Sequence, residues 1–131
     1  MFGWVRRSSV SVAPGDMSER LTKRVAALLG FFGVLFGAFG AHILSRHLEG
    51  SGATPIWQTG VLYHLFHALV LLVLSGWRPV PRTAYNLILA GVIVFSGSLY
   101  TLALTNIKWF GAITPLGGVC ILAGWLVLAL A

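Results

Sequence analysis

Histidine is the residue type in this sequence with the widest chemistry, because its ring can transfer protons, bind metals or form hydrogen bonds near neutral pH. His42 follows the run GAFGA of small and apolar residues, and His64 and His67 lie three residues apart in YHLFHA. These three lie within or at the end of apolar stretches, whereas His47 lies in a polar segment. Ionisable side chains in apolar stretches are costly and often mark a pathway or a ligand site. His42, His64 and His67 are therefore the first candidates for a functional site.

A metal or haem site is one chemistry that these histidines offer. Two histidines on neighbouring helices at the same depth can ligate a haem, so His42 with His64 or His67 is a conceivable pair. The sequence contains no C-x-x-C-H motif, and histidines on helices are hydrogen-bonded far more often than they bind metals. We therefore predict no metal and no other cofactor. A Soret absorption band in the purified protein would contradict this prediction.

The chain contains few residues that could perform acid–base or nucleophilic catalysis. The only acidic residues are Asp16, Glu19 and Glu49, and all three lie outside the long apolar runs. The sequence has no carboxylate pair within those runs, no nucleophile elbow and no phosphate-binding loop. We therefore expect no catalytic residues and predict that the protein is not an enzyme.

The composition points to a membrane protein. Of the 131 residues, 57% are hydrophobic and 9% are charged, whereas a soluble domain has about a quarter of its residues charged. The net charge of +6 does not indicate nucleic-acid binding, because five of the nine Lys and Arg residues lie in the first 24 positions rather than along one face. Cys120 is the single cysteine, so no intrachain disulfide is possible.

Four apolar runs, each near the 20 residues that a helix needs to cross a bilayer, follow a basic segment at residues 1–24. They predict an all-α integral membrane protein, an antiparallel four-transmembrane-helix bundle. The runs cover about 25–45, 57–77, 84–104 and 110–131. Residues 46–56 contain glycine, serine and proline and are expected to form a loop, and the other two connections are short enough to join antiparallel neighbours.

The basic residues predict an orientation. Seven of the nine Lys and Arg residues lie on the side of the two termini, and only Arg46 and Lys108 lie on the other side. The positive-inside rule then places both termini in the cytoplasm, and we expect a bacterial inner (plasma) membrane. No signal peptide is evident, Met17 is an alternative start, and residues 1–16 are expected to be loosely ordered or to lie on the headgroups.

The polar residues inside the runs are expected to share one depth, toward the outer ends of the four helices. This predicted polar layer contains His42, His64, His67, Ser96, Ser98, Tyr100 and Thr114. Three interpretations remain open: a structural hydrogen-bond network, a functional site for protons, a small molecule or a metal, and simple snorkelling of side chains to the interface.

Small residues suggest where the helices approach closely. Gly33, Gly37 and Ala41 are spaced four apart in the first run, and Gly117 and Gly118 follow Pro115 in the fourth. Such spacing lets helix backbones come together in lipid. The first interpretation is packing within the monomer, and the alternative is a face for a second copy or a partner. Pro115 is expected within about the first turn of its helix, where a missing N–H costs least.

Four motifs in the same order give the chain a family resemblance. They are GAFGAH (37–42), W-x-T-x-x-x-Y-x-x-x-H-A-L (57–69), FSGSLY (95–100) and GAITPLGG followed by AGW (111–125). Over residues 20–131 the chain resembles the domain-of-unknown-function family 423 and is similar to eukaryotic transmembrane protein 256. The resemblance implies a four-helix membrane protein with no established activity. It places His42 and His67 at motif positions, whereas His64 stands where the family has glutamine, which favours a hydrogen-bonding role for His64.

Two functions follow as hypotheses. The first is a multi-pass membrane protein without a catalytic site that acts as an accessory or assembly subunit of a larger membrane complex. Its partners would be the lipid bilayer and other membrane-protein subunits, not nucleic acid. The alternative is a small transporter or proton-conducting protein that uses the polar layer.

Overall fold

The computed structural model describes residues 16–131, and this range is helical with no strands. Four long helices have the length and hydropathy to cross a membrane. They confirm the predicted all-α architecture with four membrane spans. Its helices, in chain order, are α1 (Met17–Ala41), α2 (Ser45–Ser51), α3 (Thr54–Leu74), α4 (Arg82–Thr105) and α5 (Trp109–Leu130). The expectations for residues 1–15 lie outside the described range.

Helix α1 begins well before the first predicted span. It starts at Met17 rather than near residue 25, so the basic residues Arg20, Lys23 and Arg24 belong to its first turns. Its 25 residues span about 37 Å at 1.5 Å per residue, more than the roughly 30 Å hydrocarbon core. These charged turns can therefore lie among the headgroups, where Arg78 forms a 3.2 Å ion pair with Glu19.

The prediction of a loop over residues 46–56 is wrong, because its first half forms the short helix α2. Leu48 of α2 is fully buried and joins a cluster with Trp57 and Tyr100. Gly52 ends the helix in the left-handed conformation, with φ of 70°, which glycine adopts without steric cost. Burial of one leucine, rather than length or propensity, therefore stabilises α2.

Helices α3 and α4 form the centre of the bundle. Helix α1 packs on α3 and α5 packs on α4, while α1 and α5 make no backbone contact with each other. Two long side chains connect the flanking helices across the centre. Tyr85 Oη donates a 2.6 Å hydrogen bond to the Thr22 carbonyl, joining α4 to α1, and Trp125 joins α5 to α3.

The small residues mostly face neighbouring helices of the same chain. A Cβ on Gly33 would lie 2.7 Å from Leu65 Cδ2, and one on Gly37 would lie 3.3 Å from Val61 Cγ1. A Cβ on Gly117 would lie 2.7 Å from the Gly91 carbonyl oxygen. These three positions are therefore used for packing within the chain.

The remaining small residues of the two packing motifs have more room. Ala41 is exposed, and a Cβ on Gly118 would make only an ordinary contact with the Phe95 ring, at 3.8 Å. Pro115 lies inside α5, as the seventh residue of the helix counted from Trp109. It therefore lies about one turn deeper than expected, because six helical residues precede it.

Candidate intramembrane polar site

The structure does not bring His42 together with the other histidines. His42 caps the C-terminus of α1 and is exposed, and its carbonyl accepts a 3.0 Å hydrogen bond from Ser45 Oγ at the turn into α2. Gly33, which faces the His64 ring, lies nine residues earlier, or about 13 Å along the helix axis. His64 itself is the middle residue of α3. The predicted polar layer is therefore not at one depth, because His42 lies at the end of the bundle and His64 lies at its middle.

His64 and Tyr100 form the first polar pair of the core. The His64 Nδ1 lies 2.9 Å from Tyr100 Oη, and both residues are at least nine-tenths buried. The Phe36 ring packs edge-on against both rings, at centroid distances of 6.0 and 5.1 Å. This pair therefore links α3 to α4 beneath a side chain of α1.

The direction of this hydrogen bond can be assigned from its surroundings. Tyr100 Oη has no other hydrogen-bond partner among residues 16–131, so its O–H proton is best placed toward His64 Nδ1. The His64 Nε2 then carries the ring proton. That atom is buried and has no hydrogen-bond partner among residues 16–131. His64 is thus assigned as a neutral ring protonated at Nε2.

Trp57 and Gly60 complete the surroundings of this pair. The Trp57 indole Nε1 donates a 2.9 Å hydrogen bond to the Phe36 carbonyl, and its ring lies 4.7 Å from that of Tyr100. Ser96 Oγ donates a 2.8 Å bond to the Gly60 carbonyl. A Cβ at Gly60 would lie 2.9 Å from Tyr100 Cε1, so a glycine is needed where α3 meets α4.

Hydroxyl groups connect α4 to α5. Ser98 Oγ and Thr114 Oγ1 lie 2.7 Å apart, and Ser98 Oγ also reaches the Phe95 carbonyl at 2.9 Å. Each hydroxyl has a single proton, so one of the two donates to the other, and the second donates to a backbone carbonyl of its own helix: Ser98 to Phe95, or Thr114 to Phe110 at 3.2 Å. Both hydroxyls therefore have partners within the protein.

His67 belongs to a separate cluster, at the α3–α5 side. Its Nδ1 lies 2.8 Å from the Tyr63 carbonyl, and its Nε2 lies 3.2 Å from Trp125 Nε1. An indole N–H only donates and a carbonyl only accepts, so His67 must be neutral and protonated at Nδ1. The two buried histidines are therefore opposite tautomers with different partners.

Sequence reasoning did not identify Trp57 or Trp125 as partners in these clusters. Both sit in apolar runs, where an indole N–H usually needs an acceptor, and this was the available signal. Among residues 16–131, no group of three or more His, Cys, Asp or Glu side chains is placed to hold a metal ion. The arrangement suits hydrogen bonding between helices.

Tyr100→Phe should lower the free energy of unfolding by about 0.6–1.7 kcal/mol, because His64 Nδ1 loses its donor. SDS-induced unfolding of the protein in detergent micelles measures this loss of stability. Tyr63→Phe is the matched control, since no hydrogen bond is formed by the Tyr63 hydroxyl in the described part of the chain and its ring is 38% exposed. Equal effects of the two substitutions would show that the His64–Tyr100 bond contributes nothing.

Two lateral grooves flank α3. The first, of about 720 Å³, lies between α1, α2 and α3. The second, of about 400 Å³, lies between α3 and α5 and includes His67, Ile121 and Trp125. Leu62 and Phe66 line both grooves and are exposed, so they form a ridge between them on the outer surface of the bundle.

Comparison with known proteins gives the family. A family model described as "Protein of unknown function (DUF423)" matches residues 36–118. The chain belongs to this family. Its match includes the His64–Tyr100 pair and the Ser98–Thr114 pair, while Trp125 lies beyond it. No solved structure matches the chain significantly.

Several relatives cover most of the chain. The UPF0382 membrane protein YwdK of Bacillus subtilis is 43% identical over 114 residues, covering 82% of this chain and 91% of the relative. The UPF0382 inner membrane protein YgdD of Escherichia coli K12 is 43% identical over 116 residues, covering 83% and 86%. The UPF0382 membrane protein SH2409 of Staphylococcus haemolyticus is 44% identical over 108 residues, covering 79% and 88%. This DUF423 member is thus a multi-pass membrane protein in contact with the lipid bilayer.

Proposed function

We propose that this DUF423 protein is a non-enzymatic accessory or assembly subunit that binds another membrane protein laterally, within the bilayer. The observation that supports this most is that each buried intramembrane polar side chain has a hydrogen-bond partner within the chain, although His64 Nε2 has none among residues 16–131. The His64, His67, Ser96 and Ser98 side chains all hydrogen-bond to groups of the same chain. The outer surface of the bundle, where the two grooves lie, is therefore the part of the protein that is available to contact a partner.

The positions of the acidic residues agree with a non-enzymatic role. Asp16 precedes α1, Glu19 lies in its first turn, and Glu49 lies on α2. None of them is near the buried histidines, so no carboxylate is available to act with an imidazole as an acid–base pair.

The groove between α3 and α5 is the proposed contact for the partner. Its lining is aromatic and apolar, with Tyr63, Phe66 and Trp125 beside exposed Leu122. A ridge of side chains beside a groove is the shape that helices use to pack on each other. In lipid, such packing must come from shape complementarity, because burial of apolar surface gives no hydrophobic gain.

Leu122→Trp should fill this groove and abolish association with the partner, whereas Leu126→Trp should not. Both leucines are exposed on α5, at 69% and 59%, and only Leu122 lines the groove. Native mass measurement after purification in mild detergent gives the readout. A stoichiometric partner lost only from the Leu122 variant supports the proposal. A wild-type protein that is always a lone monomer contradicts it.

The proposed orientation has both termini in the cytoplasm, supported by the uneven distribution of Lys and Arg. A transport or proton-conducting role has less support. The His64 and His67 clusters are separate, because His64 pairs with Tyr100 and His67 with Trp125, and no hydrogen bond joins the two clusters among residues 16–131; they therefore do not form a continuous polar route. Proton flux into liposomes that is abolished by His67→Gln would favour transport instead.

A further inference from the structure

The groove between α1, α2 and α3 has a polar end and an apolar end. Ser45, Glu49, Thr54 and Gln58 line it near α2. Toward the middle of the bundle its lining becomes apolar, and it ends near Leu69. This gradient matches an amphiphile whose head lies at the α2 end.

The length of the groove corresponds to one leaflet of the bilayer. From Thr54 to Leu69, α3 rises over fifteen residues, or about 22 Å at 1.5 Å per residue. Half of a bilayer, including its headgroups, is about 20–22 Å thick. A transmembrane helix needs roughly 30 Å of contact to pack along its whole span, so a lipid fits this groove better.

The polar end of the groove is lined by the Glu49 carboxylate. Arg46 lies outside the lining, three residues earlier on α2, a spacing that places it on the same side of the helix as Glu49. Neither forms an ion pair within residues 16–131, where the one ion pair joins Arg78 to Glu19 at the opposite end of the bundle. Among residues 16–131 the Thr54 Oγ1 has no hydrogen-bond partner, but it is closed to solvent and is not part of the contact surface.

We propose that this groove binds one phospholipid with a phosphoethanolamine headgroup. The ammonium group lies at the Glu49 carboxylate, and the negatively charged phosphate lies toward Arg46. An acyl chain follows the surface of Gly37, Val61 and Leu65, which line the groove. This inference goes beyond the proposed function and uses a different groove from the partner contact.

Ala41→Phe tests whether the groove is the site. Ala41 is exposed and lines the groove, whereas Ala38 is also exposed on α1 but does not line it. The purified variants are equilibrated with vesicles of phosphatidylethanolamine and phosphatidylglycerol in equal parts, re-extracted in mild detergent and examined by native mass spectrometry. We expect one phosphatidylethanolamine per wild-type chain, lost by about tenfold in Ala41→Phe and retained in Ala38→Phe. Equal lipid retention in both variants overturns the proposal.

Glu49→Gln tests the headgroup assignment. It removes the charge that selects the ammonium group, so the preference for phosphatidylethanolamine over phosphatidylglycerol should fall about tenfold toward equality. Wild-type protein without that preference, or a Glu49→Gln variant that keeps it, contradicts the assignment. If the wild-type chain carries a bound protein and no lipid, and Ala41→Phe displaces that protein, then a helix of the bound protein occupies the groove and the lipid proposal is overturned. These results do not depend on the result for Leu122→Trp, so the lipid proposal and the partner proposal can each be refuted without the other.

Discussion

Gly117→Ala is expected to separate α5 from α4 and to lower the free energy of unfolding by about 2–3 kcal/mol. At this position a Cβ would meet the backbone of Phe95 and lie 2.7 Å from the Gly91 carbonyl oxygen. Backbone atoms cannot rotate away as side chains do, so the whole helix must move. The movement would also break the Ser98–Thr114 hydrogen bond between the same helices.

Gly118→Ala is the control for this prediction. It adds the same methyl group one residue later, where the nearest atoms are in the Phe95 ring at 3.8 Å, and alanine favours helix formation. SDS-induced unfolding monitored by tryptophan fluorescence compares the two variants. If both have the stability of wild type, the close contact between α4 and α5 does not exist in the membrane.

Trp57→Ala is expected to cost about 3 kcal/mol, at the lower end of the range for deleting a buried aromatic side chain. Trp57 is 5% exposed and packs against Phe36 and Tyr100. In lipid the loss comes from vacated packing contacts, together with the Phe36 carbonyl that loses its indole donor. The α2 end of the bundle should loosen first, because Leu48 packs in the same cluster.

Trp109→Ala separates this effect from the general loss of an aromatic side chain. Trp109 begins α5, is 67% exposed and lies where an aromatic belt is expected. Its removal should change stability by about 0.5 kcal/mol or less. Hydrogen exchange of the α2 amides gives the local readout. Exchange that rises equally in the two variants would contradict the anchoring of α2 by Trp57.

The spans could be predicted from sequence because their signal is length and composition. Lipid requires about 20 apolar residues and an internally hydrogen-bonded backbone, and all four runs meet this requirement. Helix α2 could not be predicted in the same way. Its seven residues form a helix because Leu48 is buried by other parts of the chain, which is a tertiary effect.

The polar site was harder to predict because depth and rotation both matter. Helix α3 begins at Thr54, three residues before the expected span, so its histidines lie deeper than a count from residue 57 suggests. Which side chains meet depends on how each helix is rotated about its axis. That rotation follows from close contacts such as Gly60 with Tyr100, and a single sequence does not reveal them.

The central claim is that the two buried histidines pair within the protein rather than lining a hydrated path. Solid-state NMR of isotope-labelled histidine in lipid bilayers tests it most directly, with His64→Gln and His67→Gln used to assign the signals. Two neutral rings of opposite tautomer are predicted: protonated at Nε2 in His64, next to Tyr100, and at Nδ1 in His67, next to Trp125. Rings that share one tautomer, or that are cationic and exchange rapidly with water at neutral pH, would contradict the account.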